Sequence, residues 1–257
     1  MNIFKQLVLS LYSPKSIASW RTQGIGKTIL FVFFLTLISV LPTIIHLGTA
    51  ITNGVEMTKD TVSGEIPNFT IENGELHSDE MKLVTIEKKD FTIIFDPTGE
   101  LQPNNLDNSL NSIALLKNDF AITTAGTIEQ MSYSMLTELE ITKDDVVTFI
   151  NSADSMLTVI LPIIFIAIYL FSSAMKFIGI SVLALIGTLI NSSNSERLKY
   201  RYLWRIATYS ITLPTIFFMV MDIFQTAVPF GFVLNWFVCI LVLILALKEI
   251  PQSKELQ

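Results

Sequence analysis

Two ionisable side chains stand inside long apolar runs, and they offer the first chemistry in this chain. Lys176 interrupts the stretch from Met156 to Ile190, and Asp222 lies two residues before the end of a later one. A charge within a membrane-crossing helix is costly and often marks a substrate, ion or proton site. Lys176 and Asp222 are therefore candidates for a midplane transport site, with each as the other's partner. The competing reading makes both interfacial, with Lys176 marking a turn. Leu-Pro recurs three times in apolar segments, at Leu41-Pro42, Leu161-Pro162 and Leu213-Pro214. A proline inside a helix frees a carbonyl and permits a kink that neighbouring hydroxyls can satisfy. Pro42, Pro162 and Pro214 are thus candidate kinks. Broken helices at matching positions mark some transporter sites, and kinked packing without transport gives the same pattern.

Other reactive groups form no catalytic set. Asp96-Pro97-Thr98-Gly99 after an apolar strand is similar to the Asp-Lys-Thr-Gly of phosphate-transferring pumps, but the lysine is missing and no phosphate-cradling glycine loop accompanies it; a turn is the expected role. Asp96, Glu100, Asn104, Asn105 and Asp107 could offer oxygens to Ca²⁺, yet their spacing is not that of an EF-hand loop. His46 reads as an edge residue of the first apolar span, His77 lacks a nucleophile partner, and Cys239 is embedded in the last span. No Ser/His/Asp or Cys/His arrangement can be assembled, and one Cys with two His cannot make a zinc cage. The expectation is a non-enzymatic protein without cofactor or metal, an intramembrane enzyme being the third choice.

The elements that must carry these residues follow from composition. The 257 residues are 51% hydrophobic and 16% charged, with mean hydropathy +0.55, against about 25% charged in ordinary soluble domains. That is a membrane composition, and the net charge of -6 excludes a basic nucleic-acid binder. The charge is unevenly placed. Residues 49–150 hold 6 Lys, no Arg and 18 Asp+Glu, a net -12, and the remainder nets +6. An acidic folded domain is therefore expected between apolar flanks.

About 20 apolar residues cross a hydrocarbon core of about 30 Å. The spacing predicts a first span over 28–48, then 156–175, 177–192, 206–224 and 229–247. This gives five transmembrane helices around an inserted α+β domain at 49–154, with a tail at 249–257. Lys5, Lys15, Arg21 and Lys27 precede the first span without an acid, which places residues 1–27 on the cytoplasmic side of the membrane and 49–154 outside. Five spans leave Arg197, Lys199, Arg201 and Arg205 outside, against that charge rule. A single crossing over 156–190, its second half re-entrant, places them inside with Lys248 and Lys254. Both arrangements stay open. Ile3, Phe4, Leu7, Val8, Leu11 and Tyr12 form one helical stripe, either an interfacial helix or one packed on the inner face of the bundle.

Within the acidic domain, Ile66–Ile71, Lys82–Glu87, Phe91–Phe95, Phe120–Thr124 and Ile128–Leu136 read as strands. Asn73-Gly74 is a hairpin signal, and Asn111–Lys117 could be a helical turn. Thr142 is placed to cap a helix from Lys143. Four to six short strands are expected.

Phe4-Lys5, Ser13-Pro14-Lys15, the Ile66–Gly74 hairpin, Phe95-Asp96-Pro97-Thr98-Gly99 and Lys199–Arg205 followed by Leu213-Pro214-Thr215 occur in order. Together they make the chain similar, over essentially its whole length, to an uncharacterised bacterial membrane family known as domain of unknown function 1189. Some members are labelled maltodextrin-utilisation proteins, and the later helices distantly resemble the five-span Yip type. The resemblance supplies no catalytic residues and implies an accessory role beside a sugar transporter. The expected function is an accessory, sensing or scaffold partner of a membrane complex, acting through its outer domain in the lipid bilayer without nucleic acid and with an unknown small-molecule ligand. The alternative is a small transporter.

Overall fold

Polar alternating segments and long apolar ones separate along the chain, and the structure follows that division. The computed structural model describes residues 2–88, 91–109, 111–124, 126–191 and 198–251. It is mostly helical, with a separate sheet domain. One unit comprises Met1–Thr49 and Leu161–Gln257, the other Ala50–Ile160.

The sheet unit holds eight described strands, more than the four to six expected. β1 (Phe69–Glu72), β2 (Glu75–Ser78) and β8 (Ile141–Thr142) form an antiparallel sheet in the order β2-β1-β8. β3 (Val84–Glu87), β4 (Thr92–Phe95), β5 (Ser112–Leu115), β6 (Asp119–Thr124) and β7 (Thr127–Ser132) form a second sheet in sequence order. The β1–β2 turn places Asn73 and Gly74 at φ 54° and 82°, as a two-residue type I′ hairpin requires. A Cβ on Gly74 would also lie 3.3 Å from Ser134 Cα.

Asn111–Lys117 is not a helical turn: Ser112–Leu115 is the middle strand of the larger sheet. A four-residue apolar run is ambiguous by periodicity, and its two flanking strands decide the matter. β4 and β5 run parallel while the other pairs in that sheet are antiparallel. Parallel neighbours need a crossover, and residues 96–111 supply it. The core joins Phe69, Ile71, Leu76, Ile93, Phe95 and Tyr133, with the Phe69 and Phe95 rings 5.7 Å apart.

The helical unit draws on α1 (Ile3–Tyr12), α2 (Pro14–Ser19), α3 (Ile25–Gly64), α4 (Lys143–Asn191), α5 (Tyr200–Ser210), α6 (Thr212–Ile223) and α7 (Gly231–Lys248). α3 and α4 each also contribute residues to the sheet unit. Thr142 caps α4 reciprocally: Asp145 N–H donates to Thr142 Oγ1 at 3.2 Å, and Thr142 N–H donates to Asp145 Oδ2 at 2.9 Å.

Two expectations about the helices change. No turn breaks the chain at Lys176, and no separate helix occupies 177–192: α4 is one helix of 49 residues. Ser172-Ser173-Ala174-Met175-Lys176 contains no proline and no glycine, and a single charge does not end a helix. Four described helices are therefore long and apolar enough to cross a membrane, counting Tyr200–Ile223 as one. At roughly 1.5 Å per residue α4 spans about 73 Å, well beyond a hydrocarbon core of about 30 Å. α3 likewise runs past the expected end at Gly48 to Gly64.

α1 takes the packed option. Gln6 and Ser10 are buried, while Phe4, Val8 and Tyr12 are exposed. Ile3 and Leu7 of the same stripe pack against the bundle's core, so the stripe is divided between the bundle and the outer surface. Arg197 and Lys254 lie outside the described residues.

Candidate functional site

The polar groups of the helical unit gather at three levels. At one end, α1, the segment before α3, and α5 build a partly buried network. Gln6 donates to Gln23 Oε1, and Gln23 Nε2 donates to Tyr209 Oη at 2.7 Å. Trp20 and Phe31 each hold the Tyr209 ring at 4.6 Å between centroids. Arg205 Nη1 donates to the Arg21 carbonyl at 3.0 Å, and Trp204 Nε1 to Ser181 Oγ at 3.2 Å. Tyr209→Phe removes the acceptor of the half-buried Gln23 amide and should cost about 1 kcal/mol. Thermal unfolding in detergent would report it, and an unchanged midpoint would count against the network.

At the opposite end, His46 bridges two elements. Its Nε2 donates to the Asp222 backbone carbonyl at 3.1 Å, and Gln225 Nε2 donates to its Nδ1 at 3.0 Å. These partners make Nε2 the donor and Nδ1 the acceptor of the ring. Gln225 adopts φ 51° just beyond α6, which turns its amide back toward the histidine.

Between these levels lies Lys176. It lines two adjoining clefts of about 470 and 480 Å³, and Thr215, Phe232 and Asn235 line both with it. The first cleft is otherwise mostly apolar, with Phe171, Met175, Trp236 and the buried Cys239. The second leads to Ser39, Met219 and Asp222. The two sequence-predicted site residues therefore share a cleft, but no ion pair within 4.0 Å joins them among the described residues. Lys176 is partly buried and Asp222 exposed. Cys239 and Ser39 lie midway along α7 and along the apolar 28–48 segment, so Lys176 sits midway along these apolar helices. At the centre of a membrane-crossing helix a lysine costs about 2.5–3.5 kcal/mol on insertion scales. That cost falls on a residue the fold does not use to pair helices.

The three prolines line neither cleft. Pro42 and Pro162 sit inside unbroken helices. Pro214 occupies the first turn of α6, where a missing N–H is tolerated. The break falls just before it, at Ile211. Sequence reasoning missed Asn235 and Thr215. Asn235 carried a signal, as the one amide side chain within α7.

In the sheet unit, Asp96 is a structural residue. It is fully buried and accepts from Thr98 N–H at 2.9 Å, Thr98 Oγ1 at 2.5 Å, Gly99 N–H at 3.2 Å and Leu101 N–H at 2.7 Å. Burial works against its charge, but the Thr98 hydroxyl and the Leu101, Thr98 and Gly99 amides outweigh it and hold the carboxyl below its ordinary range. Both oxygens are engaged in starting the β4–β5 crossover. Among the described residues, no group of three or more His, Cys, Asp or Glu could hold a metal ion. A polar cleft of about 380 Å³ lies beside β1 and β2, lined by Glu72, His77, Asp79 and Glu140.

The comparisons add one relationship. No curated protein and no solved structure matches the chain. A family model described as "Protein of unknown function (DUF1189)" matches residues 4–247. That match takes in both units and every residue of the Lys176 clefts, and the chain accordingly belongs to the DUF1189 family.

Proposed function

We propose that this is a four-crossing protein of the bacterial cell membrane, with its N-terminus in the cytoplasm and the acidic sheet unit outside. In this reading it is a non-enzymatic accessory or sensing partner of another membrane complex, one of sugar uptake by the label some family members carry. Charge supports the orientation. With α4 crossing once, Lys5, Lys15, Arg21 and Lys27, then Lys199, Arg201 and Arg205, then Lys248 all fall on one side. The positive-inside bias is then satisfied without the conflict that five spans create.

The observation that carries the accessory role is the packing of α4. None of its most apolar 18-residue stretch is buried within the protein, against 39%, 39% and 28% for the other three candidate spans. Ile163, Ile166, Leu170 and Leu185 lie exposed along it, a helix face without an intramolecular partner.

Transport is a second reading, favoured by the cleft that Lys176 and Asp222 share. Lys176→Ala and Asp222→Ala separate the two. The accessory reading expects partner co-purification and solute uptake to stay within about twofold of wild type, since neither residue lies on the exposed face of α4. Uptake lost with assembly intact would select transport. Co-purification lost on replacing Ile166 and Leu170 by polar residues would support docking along α4, and its retention would count against it.

A further inference from the structure

We propose that the first cleft beside Lys176 is a binding site for a monoanionic amphiphile, a single acidic head on an apolar chain, drawn from the surrounding bilayer. The inference rests on the bilayer placement of the helical unit and not on the accessory or transport role. Among the described residues, Lys176 is the one charged group lining this cleft and no acid lines it. Among those same residues the lysine makes no hydrogen bond or ion pair. Thr215 and Asn235 line the cleft with it and bring a hydroxyl and an amide. An ammonium with two neutral donors suits one carboxylate or phosphodiester, because a charged acceptor takes the strongest hydrogen bonds available to each.

The rest of the lining suits a chain. Phe171, Met175, Ile178, Phe232 and Trp236 are apolar, and the first four are exposed on the outer surface of the bundle. The rim therefore opens where lipid tails would lie, and a ligand can enter sideways without crossing the polar ends of the helices. A volume of about 470 Å³ falls within the range of about 300–1,000 Å³ for small-ligand clefts. It fits a head and the upper part of one chain rather than a whole helix. Asp222 lines only the second cleft and is no part of this one.

Trp236 makes the site readable. Full-length protein is reconstituted in zwitterionic phosphatidylcholine bilayers, and its fluorescence is followed as dibrominated phosphatidylglycerol, dibromostearate or dibrominated phosphatidylcholine is added. The Trp236→Phe protein gives the background from Trp20 and Trp204. The proposal expects Trp236 to be quenched at about tenfold lower mole fraction of an acidic lipid than of phosphatidylcholine, as one charge-assisted contact implies. Phosphatidylglycerol against stearate decides whether the head is a phosphodiester or a carboxylate. Lys176→Gln should abolish the preference, Lys176→Arg should keep it, and Asp222→Asn should leave it in place. Equal quenching by all three lipids, or a preference that survives Lys176→Gln, would overturn the site. Should a variant fail to reconstitute, the wild type alone tests the site: purified protein should retain acidic lipid through exchange into zwitterionic detergent, and its complete loss would overturn the assignment. If the chain does not partition into bilayers at all, the placement fails rather than the ligand assignment.

Discussion

Replacing Asp96 by alanine should destabilise the sheet unit by about 2–4 kcal/mol, because four donors, most of them partly buried, lose their acceptor at once. Four hydrogen bonds converge on this carboxylate, and they fix the first turn of the crossover that lets β4 and β5 lie parallel. Asp96→Asn should be milder. An amide oxygen can still serve Thr98 and Gly99, while its NH₂ opposes the Leu101 N–H. The pH dependence has a definite sign. The native pKa lies below the ordinary value, so the carboxylate's contribution is complete above the unfolded pKa of about 3.9 and is lost as pH falls through the lower native value. Hydrogen exchange at β4 and β5 amides of the full chain in detergent should show the wild-type advantage over Asp96→Ala shrinking below about pH 4. An advantage that grew toward acid, or no difference at pH 7, would refute this role.

Ala174→Pro is the second large effect expected. Ala174 is exposed and lines neither cleft, so its replacement tests the backbone of α4 alone. Within an unbroken helix, proline removes a hydrogen bond and clashes with the carbonyl four residues earlier, costing about 3 kcal/mol or more. At a tight turn beside Lys176 it would be nearly harmless. Detergent-solubilised Ala174→Pro should therefore unfold well before wild type, with Ala174→Leu close to wild type. Equal stability of the three proteins would restore the turn and five crossings.

These two sites show where the sequence is readable. The Asn73-Gly74 hairpin, the strand ending at Phe95 and the Thr142 cap each rest on chemistry within a few residues, and each is legible locally. β5 is not, because Ser-Ile-Ala-Leu has no period of its own and is a strand only between β4 and β6. The continuity of α4 through Lys176 is also hidden. Hydropathy marks a charge as an interruption, whereas the backbone needs a proline or a cap to stop. For the site, Lys176 and Asp222 are visible as ionisable groups in apolar text. Their shared cleft, and its completion by Thr215 and Asn235, depend on how α4, α6 and α7 pack, which no local signal encodes. The divided stripe of α1 has the same origin: an apolar stripe marks an amphipathic helix, but which of its residues meet the bundle depends on packing.

Sidedness is the property on which the proposed topology turns. In a Cys239→Ser background, Ser78→Cys and Lys199→Cys can each be probed on intact cells with a membrane-impermeant maleimide. Reaction at position 78 from outside, with position 199 reacting only after permeabilisation, is the predicted result. Reaction of position 199 on intact cells, or of position 78 only after lysis, would contradict it.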